Sequence, residues 1–152
     1  ANHGLVFRTA YRITGNAADA EDVLQTIFLR MLRRSDETHT VEHEESYLRR
    51  AAINASLDVV RSRQADRTLE LVDVESGSNH GETADLRQAL ARAMSTLQPR
   101  QAEVFGLRFL EGLSNKEIAQ MLGISQVLVA VIVHRTRQQL RKELAKHLGD
   151  RS

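Results

Sequence analysis

The chain has 152 residues, 41% hydrophobic and 27% charged, with a net charge of +1; that composition fits one globular domain or two small ones and excludes a disordered chain. It has no cysteine, which excludes disulfides, thiolate zinc sites and a Cys nucleophile and fits a reducing cytoplasm. One proline, eight glycines and few aromatics argue against a β fold and for helices.

In chain order, Gly4 to Thr14 reads as a short helix stopped at Gly15. Asn16 is a good N-cap for the next helix. There Ala20, Val23, Leu24, Ile27, Phe28, Met31 and Leu32 form an amphipathic stripe. Asp19, Glu21 and Asp22 in its first turn and Arg30, Arg33 and Arg34 in its last suit the helix dipole. Ser35 to His43 reads as polar loop. A third helix is predicted from Glu44 to Gln64, with Tyr47, Leu48, Ala51, Ala52 and Ala55 inward. Arg50, Asn54, Asp58 and Arg61 share an opposite stripe. Ala65 to Glu82 lacks periodicity and reads as linker.

A second module begins near Thr83. Leu86, Leu90, Ala93, Met94 and Leu97 mark one helix. Pro99 suits the first turn of the next, lined by Val104, Leu107 and Phe109 or Leu110 and ended at Gly112. Ser114 caps a short helix, Asn115 to Leu122, with Glu117 completing a capping box. Gly123 stops it, and Ser125 caps a last helix to about Lys146. Charge follows the same division. Residues 1–67 are neutral, residues 68–86 carry five acidic and no basic side chains, and residues 87–152 sum to +6. A basic module hints at a polyanion, although a solvated helical surface has the same look. The expectation is an all-α chain: modules 1–67 and 83–152, joined by a flexible acidic linker, 68–82. The longest apolar run, Val127 to Val133, is too short to span a membrane, so no membrane insertion is expected. No charged-then-apolar leader opens at Ala1, so no signal peptide is expected, and a start without Met reads as trimmed.

The segment from Leu113 to Ser125 has the pattern of a helix-turn-helix. Ile118, Ala119 and Leu122 make the packing face, Ala119 being small where two helices cross. Gly123 supplies a left-handed turn and Ile124 plugs the joint. The helix that follows is the one expected in a major groove.

These residues carry a family resemblance. Leu97-Gln-Pro-Arg-Gln-Ala-Glu-Val-Phe, the helix-turn-helix segment and His134-Arg-Thr-Arg-Gln-Gln-Leu resemble region 4 of bacterial extracytoplasmic-function sigma factors. Residues 10–30, with Asp19, Glu21 and Asp22, resemble regions 2.1–2.2. Tyr47-Leu through Asn54, Asp58, Arg61 and Arg63 resembles regions 2.3–2.4. The resemblance covers nearly the whole chain, in the family's order. It implies a cytoplasmic subunit that directs core RNA polymerase to promoter DNA. Asp19, Glu21, Asp22, Gln25 and Leu29 would dock on the β′ clamp helices, and the second module would meet the β flap. Asn54, Asp58, Arg61 and Arg63 would meet the −10 element. Gln126, Ala130, Val131, His134, Arg135, Arg137 and Gln138 would meet the −35 element. An anti-sigma factor is an implied partner, and the acidic linker resembles the segment that threads toward the polymerase cleft.

Physically, Asn donates to and accepts from base edges, and Arg holds phosphates. The acids of the second helix serve the dipole in either case. Arg61 and Arg63 also fit a solvated helix end, and Asp58 fits a structural pair with Arg61 or Asn54. The sequence departs from the family after the turn, where Ala130 and Ile132 replace an expected Lys and Arg. Leu128 or Val129, Ile132 or Val133, Thr136 and Leu140 then fall on the core side, and Val127, Ala130 and Val131 on the outer side. Methyl groups there either read thymine methyls, form a patch covered by a protein, or belong to a buried helix. His39 and His43, near Glu42, Glu44 and Glu45, are spaced like ligands but read as solvated side chains. No phosphate loop or nucleophile elbow is present, and no catalytic residue, metal or cofactor is expected. One rival function is a sigma-like decoy that binds an anti-sigma factor and no DNA. Another is a helix-turn-helix repressor, which leaves residues 10–34 without a role.

Overall fold

The computed structural model describes residues 2–33, 41–70 and 82–150. These form seven α-helices: α1 (Asn2–Thr14), α2 (Ala17–Arg33), α3 (Val41–Glu70), α4 (Glu82–Ser95), α5 (Pro99–Phe105), α6 (Asn115–Leu122) and α7 (Gln126–Asp150). A π-helical turn, Gly106–Leu110, continues α5. The described residues contain no strand.

The first module is α1, α2 and the N-terminal half of α3. Val6, Ala10, Ala20, Val23, Ile27, Leu48, Ala52 and Ala55 make its core. Four of these eight are alanines, which lets the helices approach closely. Gly15 turns the chain at φ 66°, a value glycine adopts without a Cβ penalty. Asn16 Oδ1 then accepts from the Asp19 N–H at 2.9 Å and starts α2.

The second module is α4 to α7. Ala93, Met94, Leu97, Ala102, Val104, Leu107, Ile118, Val129 and Leu140 are among its buried residues. Pro99 opens α5, where a missing N–H costs nothing. Ser114 Oγ accepts from the Glu117 N–H at 3.0 Å, and the Glu117 carboxylate accepts from the Ser114 N–H at 2.8 Å. Gly123 ends α6 in the left-handed conformation, φ 71°. Ser125 Oγ accepts from the Leu128 N–H at 3.0 Å and caps α7.

The two modules pack on each other through α3. Leu48, Ala52 and Ala55 face the first core, while Ile53 and Leu57, on another side of the helix, enter the second. Burying each of these two stabilises by ~1.5–3 kcal/mol. Gly106 allows the approach: a Cβ there would lie 3.0 Å from Ile53 Cδ1.

Several expectations need correction. α3 starts at Val41, inside the expected loop, and runs to Glu70, beyond the expected end at Gln64. Residues 71–81, most of the expected linker, lie outside the described residues, as do residues 35–40 of the expected loop. Leu32 is 78% exposed, because at 3.6 residues per turn it sits roughly 120° from Ala20 around α2. Leu86 and Phe109 are exposed as well. Among the described residues no single helix is long and apolar enough to cross a membrane.

Candidate nucleic-acid interface

The stripe on α3 forms as its spacing predicts, and its donors are already engaged. Arg50 Nε donates to Glu103 Oε2 at 2.8 Å, and Asn54 Nδ2 donates to the same oxygen at 3.3 Å. Arg61 Nη1 pairs with Asp58 Oδ1 at 2.8 Å, and Arg61 Nε donates to the Ser95 carbonyl at 2.8 Å. Asp58 and Arg61 are therefore the i, i+3 pair that their spacing allows. Arg63 stands apart from the stripe and donates to Asp19 Oδ1 at 2.5 Å, tying the C-terminal part of α3 to the start of α2.

That bond divides the acidic set on α2. The Asp19 carboxylate is buried and committed to Arg63. Glu21, Asp22, Gln25 and Leu29 are all exposed. Leu29 and Leu32 leave two large apolar side chains on the outer surface of the helix.

Gln126, Ala130, Val131, His134, Arg135, Arg137 and Gln138 are all exposed on α7. Val127 joins them at 73% exposure. Val129, Thr136 and Leu140 are buried behind them, so the apolar start of α7 is an outward face laid over a core face. Leu128 is exposed and Val129 takes the core position. The Arg137 guanidinium lies 5.8 Å from the Phe109 ring centre, beside Arg108 at 5.2 Å. This cation–π contact fixes the base of Arg137's reach.

Some residues of the interface were not singled out as site residues. Arg50 lies one turn before Asn54 and belongs to the stripe that the spacing marks, although it was not among the candidate contacts. Glu111, whose side chain is 1% exposed, accepts from Thr9 Oγ1 at 2.7 Å, Arg12 Nη1 at 3.2 Å and Arg49 Nη1. Glu103 and Glu111 meet partners 49 to 102 residues away, and no local pattern joins such pairs. Glu117 has its carboxyl held below the ordinary Glu range, first by the Ser114 N–H and then by the Ser114 hydroxyl. His43 is exposed on α3, and His39 lies outside the described residues. Among the described residues, no three His, Cys, Asp or Glu side chains converge as a metal would require.

Comparison with known proteins finds two family matches along the chain. Residues 1–66 match the family model for sigma-70 region 2, and residues 87–140 match that for sigma-70, region 4. The ECF RNA polymerase sigma factor SigE of Mycolicibacterium smegmatis is 37% identical over 153 residues, covering 95% of this chain and 59% of that protein. The chain thus spans little more than half of that relative. The RNA polymerase sigma-E factor of Streptomyces avermitilis is 33% identical over 141 residues, covering 91% of this chain and 78% of that one. The sigma factor RpoE of Bartonella quintana, solved in complex with the anti-sigma factor NepR, shares the fold. Its TM-score is 0.55 at 21% identity, over 94% of this chain and 91% of that one.

Proposed function

The chain belongs to the extracytoplasmic-function sigma factors, and from that premise we propose that it directs core RNA polymerase to promoters in the cytoplasm. The polymerase supplies the chemistry, and this chain supplies docking and DNA contacts. The exposed outer side of α2, with Glu21, Asp22, Gln25 and Leu29, is the docking face for the β′ clamp helices. Asp19 acts from behind it, holding α2 to α3 through Arg63. The α3 stripe meets the −10 element. Asn54 has the donor and acceptor that a base edge requires, and Arg50 and Arg61 suit phosphates.

In the second module, α6 and Gly123 present α7 to the −35 element, with the β flap as the module's polymerase contact. Ala130 and Val131 offer methyl groups to thymine, and His134, Arg135 and Arg137 offer donors to the backbone. The observation that most supports the reading is the α7 arrangement. Seven candidate contacts are all exposed on one helix, behind a capped α6 and a left-handed Gly123.

The exposed Val127, Leu128 and Val131 also favour an anti-sigma factor as a partner, covering this apolar face when the chain is held inactive. A decoy that binds only such a factor has no use for the donors on α3 and α7. Titrating the chain against fluorescently labelled core polymerase tests the docking. Saturable binding that Leu29→Asp weakens at least tenfold supports the proposal. Absence of binding by the parent chain contradicts it.

A further inference from the structure

Three helices enclose a cavity for which docking and promoter reading have no use. Ile13 comes from α1, Val60 and Arg63 from α3, and Gln88, Ala91 and Arg92 from α4. Positions three and four apart share a helix face. Val60 and Arg63 therefore sit together on one turn of α3, and Gln88, Ala91 and Arg92 together on one turn of α4. Ala91 is too short to fill the space where those turns meet, and about 360 Å³ stays open. Cavities that hold small organic ligands run from about 300 to 1,000 Å³ and form preferentially where two domains meet.

The lining is divided by polarity. Ile13 and Ala91 are buried, Val60 packs against the same core, and the three make an apolar floor. Arg63 and Gln88 are exposed at the rim, with Arg92 half-buried beside them. Two guanidiniums in the lining meet a single carboxylate, Asp66. Asp19 engages Arg63 through Nη2 at 2.5 Å. A guanidinium carries five N–H donors in a flat fork that matches a carboxylate, so Arg63 has donors for a second anion. Asp19 and Asp66 also place negative charge near the rim, and like charge disfavours a multiply charged phosphate there.

We propose that this cavity is a binding site for a small amphipathic monocarboxylate. Its flat apolar body lies on Ile13, Val60 and Ala91, and its carboxylate accepts from Arg63 and Arg92. The single charge matches the rim, and the apolar body matches the floor. The site needs only the folded chain and does not depend on the promoter-reading role of Arg63.

The test uses the full chain and the fluorescent monoanion 8-anilinonaphthalene-1-sulfonate as probe. The site predicts saturable binding of one probe per chain. 2-Naphthoate should displace the probe, and 2-naphthamide, its uncharged analogue, should need at least a tenfold higher concentration. Ala91→Leu fills the cavity and should weaken probe binding at least tenfold. Gln88→Trp covers the mouth from an exposed position and should do the same, which keeps the test open if Ala91→Leu fails to fold. Far-ultraviolet circular dichroism confirms that each variant keeps its helices. Binding that does not saturate at one probe per chain overturns the site, as does binding that survives in a folded Gln88→Trp variant. Equal displacement by the acid and the amide overturns the assignment to a carboxylate.

Discussion

Arg50 Nε lies 2.8 Å from Glu103 Oε2, and the two side chains differ in exposure, 42% against 6%. The pair is therefore asymmetric. Removing Glu103 frees an arginine that water can reach. Removing Arg50 leaves a buried carboxylate with only the longer Asn54 contact, and an uncompensated buried charge is the costlier defect. Arg50→Ala is expected to destabilise by about 2 kcal/mol and Glu103→Gln by about half of that or less. Urea denaturation of both variants checks the order.

Gly123 sits at φ 71° with open space around its absent Cβ. Its requirement is conformational and not steric. Gly123→Ala is expected to cost ~1–2 kcal/mol. It should also weaken binding to −35 duplex by the holoenzyme, because this turn sets the direction of α7. A melting curve and a fluorescence-anisotropy titration read the two effects separately.

The Glu117 carboxyl is held below its ordinary range by the Ser114 N–H. A carboxylate whose folded value is depressed adds stability that is fully present above the unfolded value, about 4.3. That stability fades as pH falls through the depressed folded value. The N-terminus of α6 is therefore expected to hold at neutral pH and weaken only in acid below the ordinary Glu range. A carbon-13 titration of the Glu117 carboxyl should show a midpoint under that of an unstructured glutamate, and Ser114→Ala should raise it.

Arg135 and Arg137 are both exposed on α7, but only Arg137 lies over Phe109. Each alanine variant is expected to lower the slope of log affinity against log salt by about 1 for the −35 duplex. Arg137→Ala alone should also lose about 0.5 kcal/mol of stability, the value of an exposed cation–π contact. Salt titrations of the holoenzyme and thermal melts of the chain distinguish the two residues.

Local chemistry is what the sequence makes legible. Ser114, Glu117 and Gly123 mark both ends of α6 within ten residues, and the cap and turn form at those residues. Asn16 and Pro99 likewise start their helices. The α3 stripe also follows from spacing alone. What its spacing does not tell is the partner. Arg50 meets Glu103 and Thr9 meets Glu111 across 53 and 102 residues, and such pairing depends on how the modules dock. The reach of α3 was hidden for a related reason. Its ends are polar, so the apolar period fades before the helix does. At α7 the pattern allowed a buried helix or an outward face, and packing against Phe109 and the second core decides for the outward one.

Transcription from a library of promoter sequences, by core RNA polymerase with and without the purified chain, tests the central claim most directly. The account predicts transcripts that depend on the chain, share a −10 and a −35 sequence, and disappear with Asn54→Ala combined with Arg61→Ala. A chain that binds neither polymerase nor any promoter in the library, and yields no transcript above core polymerase alone, would contradict it.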